Sequence, residues 1–195
     1  MNSKDKIRSA CTLILGFVFL TATILGYYKE PINMSEYCFI SGMTVGLILI
    51  ASFFYSLAKK RFFPEWIYAD CMITVFVIFL ATIILRLNLD GAFVVIHIVN
   101  PILLFLYWAI FCNHNRIKKH LLIATCLVFP LVYLMIAKIV QLATGNYCPF
   151  PARLIFEDNP LHLVIVYIVA VCLIFLLLSF ILHFINRAIH KKTPQ

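Results

Sequence analysis

Six apolar runs divide this chain, and each is long enough to cross a lipid bilayer as an α-helix. A hydrocarbon core about 30 Å thick requires about twenty residues of a helix that rises about 1.5 Å per residue. The runs are Ala10–Tyr27, Tyr37–Leu57, Glu65–Leu85, Ala92–Cys112, Lys119–Leu142 and His162–Ile185. The sequence therefore predicts an all-α fold, in which residues 1–195 form one polytopic domain, a bundle of six transmembrane helices.

The composition leaves room for little besides this membrane domain. The 195 residues are 64% hydrophobic and 12% charged, and the mean hydropathy is +1.01, whereas about one quarter of a soluble domain is charged. We interpret the first run as an uncleaved span and not as a signal peptide. It is about eighteen residues long, and no small-residue cleavage pattern follows Gly26.

The basic residues predict the orientation. An even number of spans puts both termini on one face, and that face holds twelve of the sixteen Lys and Arg residues: Lys4, Lys6, Arg8, Lys59, Lys60, Arg61, Arg116, Lys118, Lys119, Arg187, Lys191 and Lys192. Three lie on the other face (Lys29, Arg86 and Arg153), and Lys138 lies inside a run. The positive-inside rule therefore predicts a multi-pass protein of the cell membrane with both termini in the cytoplasm.

This topology accounts for the net charge of +8. We expect membrane lipid as the partner, with anionic lipid of the inner leaflet as the counter-charge, and no nucleic acid. The seven cysteines lack metal-ligand spacing, so no metal and no cofactor are predicted. Cys38 and Cys148 both fall near the predicted outer face, where they either form a disulfide or remain two free thiols.

Helix packing can also be predicted in outline. Gly42 and Gly46 form a small-xxx-small pair in the second span, which lets another helix approach closely. Pro101 and Pro130 are each expected to kink a span and to require protein neighbours for the freed carbonyls. The sixth run is almost free of polar residues and is expected to face lipid.

The loop at 143–161 combines a helix stop, prolines and aromatic residues. We expect it either to lie at the interface, anchored by Tyr147 and Phe150, or to form a lid over a cavity. Asn159 is expected to cap the last span.

Polar residues inside the spans collect at one depth. Counting helical rise from the span ends places a set of them in the outer third of the bundle: Ser41, Thr44, Arg86, His97, Asn100, Lys138 and Gln141. Asp70 lies instead near the inner end, where we expect an ion pair with Arg61, His183 or Arg187.

A hydroxyl and an imidazole at equal depth on different helices can act as nucleophile and general base. The predicted catalytic residues are therefore His97 with Ser41 or Thr44, and the predicted substrate-binding residues are Asn100, Lys138, Gln141 and Tyr147. The alternatives are that His97 is a hydrogen-bonded packing residue and that Lys138 extends its amine to the interface.

Three sequence motifs support a resemblance over residues 37–185: His97-x-x-Asn100-Pro101, Pro130-x-x-Tyr133 and Thr144-Gly-Asn-Tyr-Cys-Pro-Phe-Pro151. In these the chain resembles a bacterial family of six-span membrane proteins named for its recurrent prolines. More remotely, it is similar to the androgen-induced and androgen-dependent membrane proteins, which hydrolyse fatty acid esters of hydroxy fatty acids. Those hydrolases use a threonine early in span 2 and a histidine in span 4. The resemblance implies this role for His97, and Ser41 and Thr44 are the nearest hydroxyls.

The sequence thus leaves open whether the chain is an enzyme. One hypothesis is an intramembrane hydrolase of a lipid ester, and another is a non-catalytic protein that binds lipid or helps to assemble a membrane complex. A transporter or channel is less favoured, because the predicted midplane lacks charge and no broken helix pair is visible.

Overall fold

The computed structural model describes residues 3–29, 31–86, 89–117, 119–145 and 147–192. Within them the chain is helical and has no strand: α1 (Ser3–Tyr27), α2 (Tyr37–Lys59), α3 (Glu65–Leu85), α4 (Ala92–Phe111), α5 (Lys119–Thr144), the short α6 (Arg153–Phe156) and α7 (Leu161–Ile189). Short 3₁₀ turns occupy Pro31–Ser35, His114–Arg116 and His190–Lys192. Six of the helices are long and apolar enough to span a membrane, which confirms the all-α prediction. Glu30, Lys118 and Asn146 lie outside the described residues.

The helix ends differ from the predicted ones where charge interrupts the apolar run. The third span begins and ends as predicted, whereas α1 begins at Ser3 instead of Ala10, and α7 continues to Ile189 instead of Ile185. Hydropathy marks where the apolar residues stop. The helix itself continues through Lys4, Asp5 and Lys6, which are exposed or half-buried and can be solvated while the backbone stays helical.

Long-range hydrogen bonds bring both termini to one end of the bundle. Ser9 in α1 bonds Ser56 near the end of α2 at 2.8 Å. The Nε of Arg8 donates to the Tyr107 hydroxyl near the end of α4 at 3.3 Å, and Asn186 near the end of α7 donates to the Cys112 carbonyl at 3.1 Å. We call this the terminal end and the opposite one the distal end.

Small residues hold α1 against α2. A methyl group on Gly42 would overlap the Thr23 hydroxyl, and a methyl on Gly46 would approach Leu20 Cδ2 to 2.7 Å and the Gly16 carbonyl to 3.1 Å. The expected close approach at Gly42 and Gly46 is therefore confirmed, with α1 as the neighbouring helix. Only 17% of the most apolar part of α7 is buried, so the sixth run presents most of its surface to the outside of the bundle, and its contact with lipid stays a prediction.

Proline reshapes α4. Its residues Val95–Val99 form a π-helical turn, in which the N–H of Asn100 donates to the carbonyl of Val95, five residues earlier. Pro101 follows, is buried, and has no N–H to donate. A proline ring clashes with the carbonyl four residues before it in an α-helix, and here that residue is His97. The wider π turn accommodates Pro101 and turns the faces of His97 and Asn100 toward the bundle interior.

The segment after α5 packs into the distal end of the bundle. The Phe150 carbonyl accepts hydrogen bonds from the Tyr37 N–H at 3.1 Å and from the Tyr133 hydroxyl at 2.7 Å. The next peptide bond, Phe150–Pro151, is cis, and Ala152 is fully buried. The segment is therefore part of the protein core and does not merely lie at the interface.

Asn159 and the cysteine pair Cys38 and Cys148 lie in this region. The Asn159 side chain donates to the carbonyls of Leu154, Ile155 and Glu157, and α7 begins after Pro160 without a side-chain cap. The prediction that Asn159 caps the last span is therefore wrong, because it caps the end of α6. Cys38 and Cys148 are buried free thiols and do not form a disulfide.

Candidate functional site

Three of the predicted site residues are buried inside the bundle. The exposed fraction is 4% for His97, 1% for Asn100 and zero for Ser41. Exposing a polar group to acyl chains without a hydrogen-bond partner costs roughly several kcal/mol of free energy. Burial among helices is therefore the stable arrangement. The expectation that these side chains face the interior is confirmed.

An aromatic chain connects His97 to α1 and α2. The Tyr27 ring contacts the Phe39 ring edge to face, with centroids 5.4 Å apart, and it contacts the Phe93 ring at 5.3 Å. Phe93 in turn stacks on the His97 imidazole at 5.6 Å. These contacts place the imidazole where the distal half of α4 meets α1.

The same contacts identify a hydroxyl that the sequence reasoning missed. Because α1 and α4 run in opposite directions, Thr23 and His97 each lie one helical turn from the Tyr27–Phe93 contact, on its terminal side. Thr23 is fully buried, and its hydroxyl packs against Gly42 of α2. A stripe of small and hydroxyl residues at helical spacing, Thr12, Gly16 and Thr23, is the sequence signal that could have indicated this face of α1.

The hydroxyls differ in how their hydrogen-bonding capacity is used. Ser41 Oγ donates to the Cys38 carbonyl of its own helix at 3.2 Å. Within the described residues, Thr23 Oγ1 and Asn100 Oδ1 have no hydrogen-bond partner. Thr44 is half-buried on α2. A buried polar atom without a partner is costly, which makes Thr23 and Asn100 candidates for contact with a substrate or with water.

The remaining predicted residues lie on the surface of the distal half. The exposed Lys138 ammonium donates to Gln141 Oε1 at 2.9 Å and lies 5.2 Å from the centre of the Phe156 ring. Tyr147 is half-buried, and its hydroxyl donates to Asn33 Oδ1 at 3.3 Å, which joins its segment to the turn before α2. Burial raises the pKa of Tyr147. The structure therefore buries His97, Asn100 and Ser41 in the interior of the bundle and pairs Lys138 with Gln141 outside it.

An open groove lies beside the helix segments that carry Thr23 and His97. It lies between α1 and α4, has a volume of about 590 Å³, and is lined almost entirely by apolar atoms of eight residues: Phe17, Val18, Thr21, Ala22, Leu25, Gly91, Ala92 and Val95. Ala22 directly precedes Thr23, and Val95 lies in the π turn with His97. Within the described residues no group of three or more His, Cys, Asp or Glu side chains is arranged to hold a metal ion.

A second polar network, at the terminal end, surrounds Arg8. Its guanidinium binds both carboxylate oxygens of Glu65, at 3.2 Å each, and Tyr107 also accepts from Arg8 and bonds Thr12 Oγ1 at 2.9 Å. The guanidinium also lies 4.2 Å from the centre of the Phe62 ring. Arg8 is one of the twelve basic residues that predict the orientation, and the structure shows that it is 8% exposed and holds α1 to α3 and α4.

A third network joins the α4–α5 connection to α7. Trp108 Nε1 donates to His114 Nε2 at 2.7 Å, and the His114 N–H donates to Asn186 Oδ1 at 2.8 Å. Burial, together with His183 and His190 nearby, lowers the pKa of His114 to about 3. His114 is therefore neutral, and its accepting nitrogen faces Trp108.

Asp70 does not make the predicted ion pair. Within the part of the chain that the structure describes, the ion pair is Arg8–Glu65, and Asp70 Oδ1 is buried without a hydrogen-bond partner. The expected pairing with Arg61, His183 or Arg187 is wrong, since α3 carries this carboxyl among apolar and weakly polar neighbours.

Comparison with known proteins adds no relative: no family model, no curated protein and no solved structure matches this chain.

Proposed function

We propose that this chain is a multi-pass protein of the cell membrane that hydrolyses an ester bond of a membrane lipid inside the bilayer. The observation that carries the proposal is the burial of the His97 imidazole at the same depth as the Thr23 hydroxyl, on neighbouring helices. Ser41 lies on α2 next to Gly42, which Thr23 contacts. Nucleophilic acyl transfer requires a hydroxyl within hydrogen-bond reach of a general base, and an imidazole and hydroxyls buried at one depth on neighbouring helices support that assignment.

In this mechanism the hydroxyl oxygen attacks the ester carbonyl carbon while His97 accepts the hydroxyl proton. The tetrahedral intermediate expels the alcohol, which takes the proton from His97. Water, activated by the same imidazole, then releases the fatty acid and restores the hydroxyl. The Asn100 amide would donate from Nδ2 to the oxyanion, because that side chain is buried one turn from His97.

Three hydroxyls can serve as the nucleophile: Thr23, Ser41 and Thr44. We favour Thr23, because Ser41 is engaged with a carbonyl of its own helix while Thr23 Oγ1 has no hydrogen bond with a described residue. The groove between α1 and α4 would hold an acyl chain, and its lining by Ala22 and Val95 would bring the ester next to Thr23.

The test is lipid-ester turnover by the purified, full-length chain. The probe is a fatty acid ester of a hydroxy fatty acid in detergent micelles, with released fatty acid as the readout. We expect His97→Ala to lower turnover by about 10²–10⁴-fold, the usual contribution of a general base. Thr23→Val, Ser41→Ala and Thr44→Val then identify the nucleophile. Ser179→Ala is the control, since Ser179 is an equally buried hydroxyl on α7.

Two results would contradict the proposal. One is turnover that survives His97→Ala in a protein that elutes and melts like the wild type. The other is the absence of turnover for every lipid ester tried, including glycerolipids. Loss of turnover in Ser179→Ala as well would attribute all of the effects to folding.

A second candidate function is non-catalytic lipid binding or assembly of a membrane complex. The observation that favours it is an apolar crevice of about 300 Å³ between α3, α4 and α7, which includes Phe76, Pro101, Phe105 and Leu182 and has no polar lining. An acyl chain fits such a crevice, and no chemistry is needed there. Tight lipid binding that is unaffected by His97→Ala, without turnover, would favour this candidate.

A further inference from the structure

A large cavity lies far from His97, at the terminal end of the bundle. It has a volume of about 820 Å³ and is open to the outside. Its walls are the start of α1, the connection between α2 and α3, the start of α3, Ile117 before α5 and Leu121 in the first turn of α5. This volume lies in the range of about 300–1,000 Å³ that is typical of small-molecule sites. We call it the terminal cleft.

Lys60 and Arg61 supply the cations of the terminal cleft that can bind a ligand. The third cation, Arg8, already bonds Glu65 and Tyr107. Lys60 and Arg61 are exposed, and Lys60 ends α2 in the left-handed conformation, with φ 53°. Arg61 donates from Nε to the Tyr55 hydroxyl at 2.9 Å, which orients the guanidinium and leaves both terminal nitrogens to donate elsewhere.

The charge of the terminal cleft favours an anion. Two acids line it, but Glu65 is neutralised by Arg8, which leaves Asp5 against Lys60 and Arg61. Lys4, Lys6 and Lys59 lie on the same two helix ends and add positive charge around the opening. The oxygens of a phosphate diester match an arginine fork with a lysine beside it.

The other wall of the terminal cleft is apolar and aromatic. Phe62, Phe63, Pro64 and Trp66 line it, and Trp66 is half-buried. Tryptophan at this level of a membrane protein lies among lipid headgroups, with its ring against the glycerol and upper acyl region. A cationic rim above an apolar wall fits an anion that carries an apolar part better than it fits a small soluble anion.

We propose that the terminal cleft binds the headgroup of an anionic phospholipid from the leaflet at this end of the bundle. Lys60 and Arg61 bind the phosphate diester, and Trp66 with Phe62 contacts the glycerol and the upper acyl chains. Arg8 has a positioning role, since its bond to Glu65 holds the start of α1 against α3. The inference rests on the chain being embedded in a membrane and does not depend on ester hydrolysis.

Tryptophan fluorescence can test this site directly. The chain has two tryptophans, and Trp108 is fully buried, so quenching by lipid reports on Trp66. The purified chain is reconstituted into phosphatidylcholine vesicles that contain rising fractions of phosphatidylglycerol brominated near the top of its acyl chains. The comparison is phosphatidylcholine brominated at the same carbons. We expect half-maximal quenching at an about tenfold lower fraction of phosphatidylglycerol, because each Lys or Arg near an anionic surface favours binding several-fold.

The matched variants decide between a site and general attraction. Lys60→Ala with Arg61→Ala should abolish the preference for phosphatidylglycerol, whereas Arg187→Ala with Lys191→Ala removes the same charge outside the terminal cleft and should preserve it. Both pairs are exposed, so both variants should fold, and unchanged circular dichroism would verify this.

Three outcomes would overturn the proposal. Equal quenching by the two brominated lipids in the wild type would remove the basis for an anion site. A preference that persists in the Lys60, Arg61 variant would place the attraction elsewhere. Reversal of quenching by inorganic phosphate at matched ionic strength would identify a site for a soluble phosphate group instead of a lipid.

Discussion

Arg8 and Glu65 form a two-pronged ion pair between the first and third spans, with Nη1–Oε1 and Nη2–Oε2 each 3.2 Å apart. Their side chains are only 10% and 12% exposed. Arg8 lies five residues after the start of α1 at Ser3 and two residues before the predicted start of the span at Ala10, so the pair buries a charge within the observed helix. The start of α1 is thereby fixed to α3 and, through Tyr107, to α4.

Removing one partner of this pair should destabilise the protein strongly. We expect Arg8→Ala to lower the free energy of unfolding by about 3–5 kcal/mol, because Glu65 then remains largely buried without its counter-charge. Thermal unfolding of the purified protein measures the effect, with the exposed Lys6→Ala as the control on the same helix. The double variant with Glu65→Ala should lose less than the sum of the single losses. Additive losses would mean that the two residues stabilise the fold independently.

The contact of Thr23 with Gly42 makes a second prediction. Gly42→Ala should destabilise by about 1–3 kcal/mol, since the new methyl overlaps the Thr23 hydroxyl and forces α1 away from α2. Adding Thr23→Ala should restore most of the stability. The Cβ that remains at position 23 lies 3.4 Å from the new methyl group at position 42, which is an ordinary contact distance. Melting temperatures of the two single variants and the double variant measure this coupling. Leu47→Ala on the exposed face of α2 is the control. Equal destabilisation of the single Gly42 variant and the double variant would contradict the contact.

His114 predicts a loss of stability in acid. Its pKa is about 3 in the folded protein, against an ordinary 6.5, so the unfolded chain binds the proton first as the pH falls. The contribution of neutral His114 to the free energy of unfolding is complete above pH 6.5 and decreases as the pH falls from there toward 3. At pH 5 the loss from this one group is about 2 kcal/mol, at 1.36 kcal/mol per pH unit.

The measurement is the melting temperature of the purified protein at pH 7.5 and pH 5. His114→Gln should show a smaller decrease between the two pH values than the wild type, although its stability at pH 7.5 is lower because Trp108 loses its acceptor. His162→Gln should behave like the wild type, since His162 is exposed. An acid-induced decrease that is the same in both variants would assign it to other groups.

Sequence reasoning recovered those features of the fold that hydropathy and helix geometry determine. The six spans follow from the bilayer thickness, and the burial of His97, Asn100 and Ser41 follows from the cost of polar groups in hydrocarbon. The small-residue contact of α2 was also readable, because Gly42 and Gly46 lie one turn apart. These are properties of one segment at a time.

The features that escaped prediction depend on which segments meet. Nothing in the spacing of Arg8 and Glu65 reveals that they pair across 57 positions, or that Asp70, on the same helix as Glu65, has no ion pair with a described residue. Thr23 was overlooked because its significance lies in facing Gly42 and in sharing a depth with His97. The Phe150 carbonyl is likewise buried by partners from α2 and α5.

The orientation in the membrane gives the last prediction. The excess of basic residues at the terminal end predicts that this end faces the cytoplasm, because Lys and Arg in short loops resist translocation. Lys191→Cys and Glu157→Cys place exposed thiols at the terminal and distal ends, respectively. An impermeant maleimide applied to intact cells should label the Glu157 variant and should reach the Lys191 variant only after permeabilisation. The unmodified chain is the control for its own cysteines, and labelling of the Lys191 variant in intact cells would reverse the topology.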